Sequence, residues 1–380
     1  MNDPTPVRCP AITNPDAGLA DPADFEPLLA RLATGGNVAE SEIFPRGTVQ
    51  PDGRLDLCKQ GIGPVETGRI VAAAAGSPLV RHLLLGTNGL GAEGARAVAG
   101  ALQPGHGVET LYLGCNRIDP EGVDALAGRL ADDTTVRALW LKRNPVGDEG
   151  VARLAAALSG NTTIRTLDLV NVGMTVRGLT VLAGALAARE PRLQRLYLGG
   201  NGFGPEAVDA LGVLIHDAGI REVYLAANHL GDEGAAELGR VAAGVPMTLG
   251  LGGNHLSPAG AAGLAAHCGA WTALDLSRPP SERALGAHGN VVGDEGAAAF
   301  ADALPQARLR RLDLRRTGIG GRGARRLVAA VEGHPTLEYL GINGGVPRKQ
   351  RRKATALIAE QGRQVTPPHP DVRAIASIYR

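Results

Sequence analysis

The chain has 380 residues, a formal net charge of +1 and 44% hydrophobic residues. So even a balance of charge sets up no overall field pushing it toward polynucleotides or acidic lipid. No apolar run approaches the roughly 18 residues that a membrane helix needs. The length alone would suggest two or three globular domains, but a repeated motif overrides that reading.

Residues 1–20 are polar and proline-rich, and disorder is expected there. They hold acids and prolines where a signal peptide needs a basic start and an apolar core. The four cysteines, Cys9, Cys58, Cys115 and Cys268, show no CxxC spacing. That scatter fits a reducing compartment better than a disulfide framework or a zinc site, so a soluble cytoplasmic protein is expected. From Asp24, read as an N-cap, a short helix should carry Phe25, Leu28, Leu29 and Leu32 on one face and stop at Gly35-Gly36. Residues 21–53 would then cover the edge of the first strand of an array, which needs such a cap.

From residue 54 to 346 one frame returns, clearest in Leu139-Trp-Leu141-Lys-Arg-Asn144-Pro-Val146-Gly-Asp-Glu-Gly150. The same pair of leucines and an asparagine recur at Leu83/Leu85/Asn88, Leu111/Leu113/Asn116, Leu196/Leu198/Asn201, Val223/Leu225/Asn228 and Leu249/Leu251/Asn254. Marked by the first apolar residue of each pair, strands fall at 55, 83, 111, 139, 167, 196, 223, 249, 274, 312 and 340, eleven in all, the last degraded. Each second half is helical, as in Val151, Leu154, Ala155 and Leu158, with acids at the helix start where the dipole favours them. The pattern resembles the leucine-rich repeat, and its period near 28 with a helical second half resembles the ribonuclease-inhibitor-like subfamily. That resemblance implies an α/β fold: a right-handed horseshoe solenoid with a parallel sheet on the concave face and helices on the convex face. The asparagines at 88, 116, 144, 201, 228, 254 and 290 are expected to satisfy backbone groups inside the turns. Val172 and Thr317 stand in that position in two repeats, where irregularity is expected.

Two segments break the period. Residues 278–289 are an insertion, which in such arrays maps to an edge loop and offers Arg278, Arg283 and His288 as a rim. Residues 347–380 begin with the basic run Arg348 to Lys353, expected to be the solvated face of a C-terminal cap helix. The closing Asp371–Arg380 stretch spaces Val372, Ile375 and Ile378 three apart, and folding back on the last repeat is expected.

The residues between the paired leucines form the central outward column, because strand side chains alternate. They read Asp56, Leu84, Tyr112, Trp140, Asp168, Tyr197, Tyr224, Gly250, Asp275, Asp313 and Gly341. The chain has 5 Tyr and 2 Trp, and this one column takes Tyr112, Trp140, Tyr197 and Tyr224. Aromatic contact that merely stabilises an exposed sheet could place rings there too, but Tyr and Trp are the residues that anchor interfaces. Small flanking residues, among them Gly86, Gly114, Gly199 and Gly252, would leave room for a partner's backbone. Leu84, Tyr112, Trp140, Lys142, Asp168, Arg195, Tyr197 and Tyr224 are therefore the expected contact set for a partner protein or peptide. Asp56, Asp168, Asp275 and Asp313 in the same column argue against a polynucleotide there.

Catalytic motifs are not found: no GxSxG, HExxH or P-loop. His229 and His255 in successive turns lack a third ligand, and Cys58 lacks a base, so no metal, cofactor or nucleophile is expected. The reading is a monomeric binding module. The alternative is an enzyme or enzyme regulator, such as an inhibitor or GTPase regulator, working through residues 278–289 or the terminal segments.

Overall fold

The computed structural model describes residues 3–9, 18–280 and 282–376. The chain divides into two compact units, Met1–Gln194 with Pro368–Arg380, and Arg195–Pro367.

In the first unit Asp21, not Asp24, caps the opening turn Pro22–Phe25 by accepting from the Ala23 amide. Asp24 instead pairs with Arg46 at 3.0 Å. The following helix, Glu26–Thr34, buries Leu28 and Leu32 and stops at Gly35, whose φ of 62° suits a residue without a Cβ. A hairpin of Glu42–Ile43 and Thr48–Val49 then pairs antiparallel with the first repeat strand, Arg54–Asp56. The cap is thus a helix and a hairpin, and the hairpin supplies the partner that the edge backbone requires.

Four further strands follow in this unit: His82–Leu84, Thr110–Tyr112, Ala138–Trp140 and Thr166–Asp168. All are parallel and in register through Leu55, Leu83, Leu111, Leu139 and Leu167. Each is followed by a helix, as in Gly147–Gly160, which buries Val151, Leu154, Ala155 and Leu158. Fully burying such a side chain is worth about 1.5–3 kcal/mol, and it is available only because the next repeat supplies the other wall. The helix-start acids also reach into the next repeat. Asp148 accepts from the Thr175 amide at 2.7 Å and its hydroxyl at 2.6 Å, holding the residue that caps the neighbouring helix.

The second unit repeats the plan with Arg195–Tyr197, Glu222–Tyr224, Thr248–Gly250, Ala273–Asp275, Arg311–Asp313 and Tyr339–Gly341, again parallel and in register. Five strands and six make the eleven expected. The terminal helix Arg348–Glu360 buries Ala354 and Ile358 and turns its cations to solvent, as a cap should.

The asparagines form the interior ladder. Asn144, fully buried, donates to the carbonyls of Leu113 and Leu141 and accepts from the amides of Asn116 and Ile118. Asn290 makes the equivalent bonds to Leu251 and Leu276, so the insertion before it leaves the ladder intact. At the gap in the fifth repeat, Val172 is buried and the preceding Asn171, at φ 50°, turns its amide elsewhere.

It turns to the N-terminal segment, which corrects two expectations. The Arg8 amide donates to Asn171 Oδ1 at 2.8 Å, and Asn171 Nδ2 donates to the Pro6 carbonyl at 3.1 Å. Cys9 and Cys115 are joined in a disulfide with Cα atoms 5.6 Å apart. Residues 3–9 are therefore fixed where disorder was expected, although residues 10–17 of that stretch lie outside the described residues. The pairing also removes the ground for expecting only reduced thiols: two cysteines distant in sequence meet because the segment is laid along the turns. Among the described residues no helix is long and apolar enough to cross a membrane.

Candidate functional site

The central column forms as expected, with Leu84 opposite Tyr112, Tyr112 opposite Trp140, and Trp140 opposite Asp168 in the first unit. Its exposure differs from expectation. Leu84, Tyr112, Trp140 and Asp168 are 0%, 3%, 1% and 1% exposed, where open rings were predicted. The neighbouring outward residues Thr110, Ala138 and Thr166 are buried as well.

The C-terminal segment lies on this face. The Thr166 hydroxyl donates to the Asp371 carboxylate at 2.8 Å, both groups buried. Asp371 is the second residue of a helical turn, Pro370–Arg373, which His369 caps by accepting from the Asp371 amide. One turn later Ala374 and Ile375 are also buried. Asp371 also lies close enough to His82 to act on its titration. Burial holds that imidazole below its usual value, while the carboxylates of Glu109, Asp52 and Asp371 pull it up. The segment therefore packs on the first unit, not back on the last repeat as its apolar spacing suggested; Ile378 and Tyr379 lie outside the described residues.

The small flanking residues also serve another purpose. A Cβ at Gly86 would strike the Tyr112 ring, and one at Gly114 would lie 2.7 Å from its hydroxyl. The glycines make room for the chain's own ring, folded along the sheet, more than for a visitor. Lys142 sits 5.5 Å from the centre of that ring. Burial lowers its ammonium to about 8, and burial raises the Asp168 carboxyl to about 6. Each holds the other partly charged, which is what makes the pair tolerable under cover. Cys58, beside Asp56, has its thiol pushed far up by burial, so no thiolate is poised here.

In the second unit the column is more open. Tyr197 and Tyr224 stack with centroids 4.4 Å apart and planes 7° from parallel, both half-buried. Tyr224 donates to Glu222 at 3.1 Å, and Glu222 pairs with Arg195 at 3.0 Å. Arg195 is 7% exposed, so it braces the stack where a free rim charge was expected. Farther along, Tyr339 lies under Arg311, 4.7 Å from ring to guanidinium, and Arg315 pairs with Asp313 at 2.7 Å. Partial desolvation by the surrounding strands and the Asp313 charge raise the Asp275 carboxyl, although its side chain still reaches solvent.

Arg278, Arg283 and His288 of the insertion are exposed. His288 adds what spacing alone did not reveal: its ring meets His255 at 4.4 Å, tilted by 56°, and His255 in turn meets His229 edge-on at 5.2 Å. Among the described residues no group of three or more His, Cys, Asp or Glu is placed to hold a metal.

Fold and turn chemistry define a leucine-rich-repeat solenoid in each unit. The Leucine Rich repeat family matches residues 108–127, 132–155 and 309–328. No curated protein matches the chain. Among solved structures, a chain of the yeast Rad7 and Elc1 complex is similar over 74% of this chain and 75% of its own, at 13% identity and a TM-score of 0.45. The leiomodin-1 actin-binding site 2 is similar over 47% of this chain and 87% of its own, at 16% identity and a TM-score of 0.31. Neither likeness bears on what this chain binds.

Proposed function

We propose that the protein is an interaction module whose strand face takes a segment of a partner protein, with no chemistry of its own. The observation that supports this most is the burial of the first unit's outward column together with the Thr166–Asp371 bond: a stretch of polypeptide already lies on that face. Leu84, Tyr112, Trp140, Lys142 and Asp168 would make that contact. The stacked Tyr197 and Tyr224, held by Arg195 through Glu222, offer the more open aromatic surface in the second unit. Rings that bury apolar area beside a polar rim suit a protein surface, and Arg278, Arg283 and His288 would contribute that rim. A repeat period near 28 with a helix in each second half supports the ribonuclease-inhibitor-like subfamily.

The test is quantitative capture with the full chain and with Tyr197→Ser/Tyr224→Ser, both at matched folded concentration. The expected result is loss of specific partners from the variant, since hot-spot aromatics carry roughly 2 kcal/mol or more each. Recovery of the same proteins in the same amounts would remove the aromatic face from the proposal.

A further inference from the structure

We infer that the segment Pro368–Ala376 is a resident pseudo-ligand, and that the first unit's strand face receives partner peptides of the same chemistry: a carboxylate and, four residues on, a branched aliphatic side chain, on a short helical turn. The inference rests on the interaction-module reading and says which peptides the module takes.

Within one chain, the same outward column is closed in the first unit and more open in the second. Leu84, Tyr112 and Trp140 are buried, whereas Tyr197 and Tyr224 are half-buried and Asp275 is exposed. The repeats themselves do not account for this, since both sets occupy the same position in the same motif. The first unit differs in carrying residues 3–9, laid along the turns, and residues 368–376, bonded to the outward row at Thr166. That segment reads the face through two kinds of contact. A carboxyl oxygen of Asp371 meets the Thr166 hydroxyl, with His82 and Thr110 joined at 2.9 Å in the same outward row. One turn later Ile375 is fully buried. Asp371 lies in the helical turn Pro370–Arg373 and Ile375, four residues on, in the turn that continues it, and Pro370 at its start and His369 as its cap pre-form the helical part. This is helix-in-groove recognition reduced to a single turn.

A short connection joins the segment to the array. Residues 364–368, just before it, are exposed and form no helix or strand, and they are held at Thr366, whose amide and hydroxyl donate to Glu338 and whose hydroxyl accepts from Arg310. Its departure would leave the repeat strands and the asparagine ladder untouched. A tethered segment competes at an effective concentration of order millimolar. A free peptide must therefore outbid it, and weakening the tether's contacts must raise the apparent affinity for the same peptide added from outside.

The probe is a fluorescent peptide of residues 367–380, titrated against the full chain and against Ile375→Ser and Asp371→Ala/Ile375→Ser full-length variants. Binding to the wild-type chain should be weak, and roughly tenfold or more tighter to the double variant. A peptide carrying the same two substitutions should not bind, and adding Thr166→Val to the double variant should take back most of the gain. Trp140 gives an independent readout. Its emission should shift to the red and become more accessible to acrylamide in Ile375→Ser, over the silent background of Trp271, which is buried and bonded to the Ala242 carbonyl. Equal peptide affinity for all chains, or no binding to any, overturns the inference. So does a concentration-dependent dimer that dissociates on Ile375→Ser, because the occupant would then be a second copy's tail. These outcomes are independent of the Tyr197/Tyr224 capture. A failed peptide experiment with capture still lost leaves an interaction module that reads other chemistry, and the reverse result leaves the tail as a purely intramolecular clasp.

Discussion

Replacing Asn144 by alanine tests how much of the solenoid's stability lies in its interior ladder. The side chain is fully buried and makes four bonds: to the Leu113 carbonyl at 3.0 Å and the Leu141 carbonyl at 2.8 Å, and from the amides of Asn116 at 2.8 Å and Ile118 at 3.1 Å. Leu113 also receives Asn116 Nδ2 at 3.0 Å, so it keeps one donor when Asn144 is truncated. The two amides and the Leu141 carbonyl lose the bonds described here. An orphaned buried group costs about 1–3 kcal/mol, so three sum to roughly 3–9 kcal/mol, and partial relaxation brings the expected loss to about 4 kcal/mol. Arrays need not unfold in one step. The assay is therefore urea unfolding together with hydrogen exchange at the two amides. Their protection should fall by about three decades, the exchange equivalent of 4 kcal/mol. A loss under about 1 kcal/mol with protection retained would refute the reasoning, because the ladder would then be decoration on a fold held by leucines alone.

Three further outcomes follow from the same geometry. The Asp168 carboxyl is raised to about 6 from an ordinary 3.8, so the folded state holds that proton more tightly and the group's contribution is lost as pH rises through about 6. Asp168→Asn should therefore gain stability over the wild type as pH goes from 4.5 to 7.5, by at most about 3 kcal/mol, read from urea midpoints; a difference that is flat or shrinks with pH contradicts it. Thiol titration of the denatured, unreduced chain should find only Cys58 and Cys268, with four reactive thiols ruling out the Cys9–Cys115 link. In the native chain at pH 8 Cys58 should react far more slowly than a free thiol, because burial disfavours its thiolate.

Most of the array was legible because each repeat states its own geometry. Paired leucines flanking one outward residue fix the strand and its register, and the asparagine three residues after the second leucine fixes the turn. Eleven copies leave little freedom. Even the gap at Val172 was readable, although its consequence was not: with the ladder position apolar, the adjacent Asn171 is turned out to bind residues 6 and 8. Such pairings join residues more than 160 apart in a segment with no period, and nothing local in the sequence specifies them. The N-terminal cap illustrates the same boundary: its helix was evident from Phe25, Leu28 and Leu32, while the choice of Asp21 over Asp24 as cap depended on where Arg46 lies.

The candidate site was half legible for a physical reason that bears on function. Alternation in a strand tells which side chains face away from the core, and in each unit the rings lie side by side on outward positions, Tyr112 beside Trp140 and Tyr197 beside Tyr224. It cannot tell whether that side is wet, because exposure depends on whatever else in the chain is complementary to it. Scarce rings on an outward face predict an occupant; they do not say whether it comes from another molecule. In the first unit a carboxylate of the terminal segment meets that face, Ile375 of the same segment is buried, and the rings are 3% exposed or less. An occupant from the same chain does not weaken the case for binding. Rings that were only cross-strand packing would not need a segment placed to meet Thr166 with a charge and to bury an isoleucine one turn later. If the Ile375→Ser chain keeps Trp140 as protected from acrylamide as the wild type does, that complementarity is absent and the rings are simply part of the sheet.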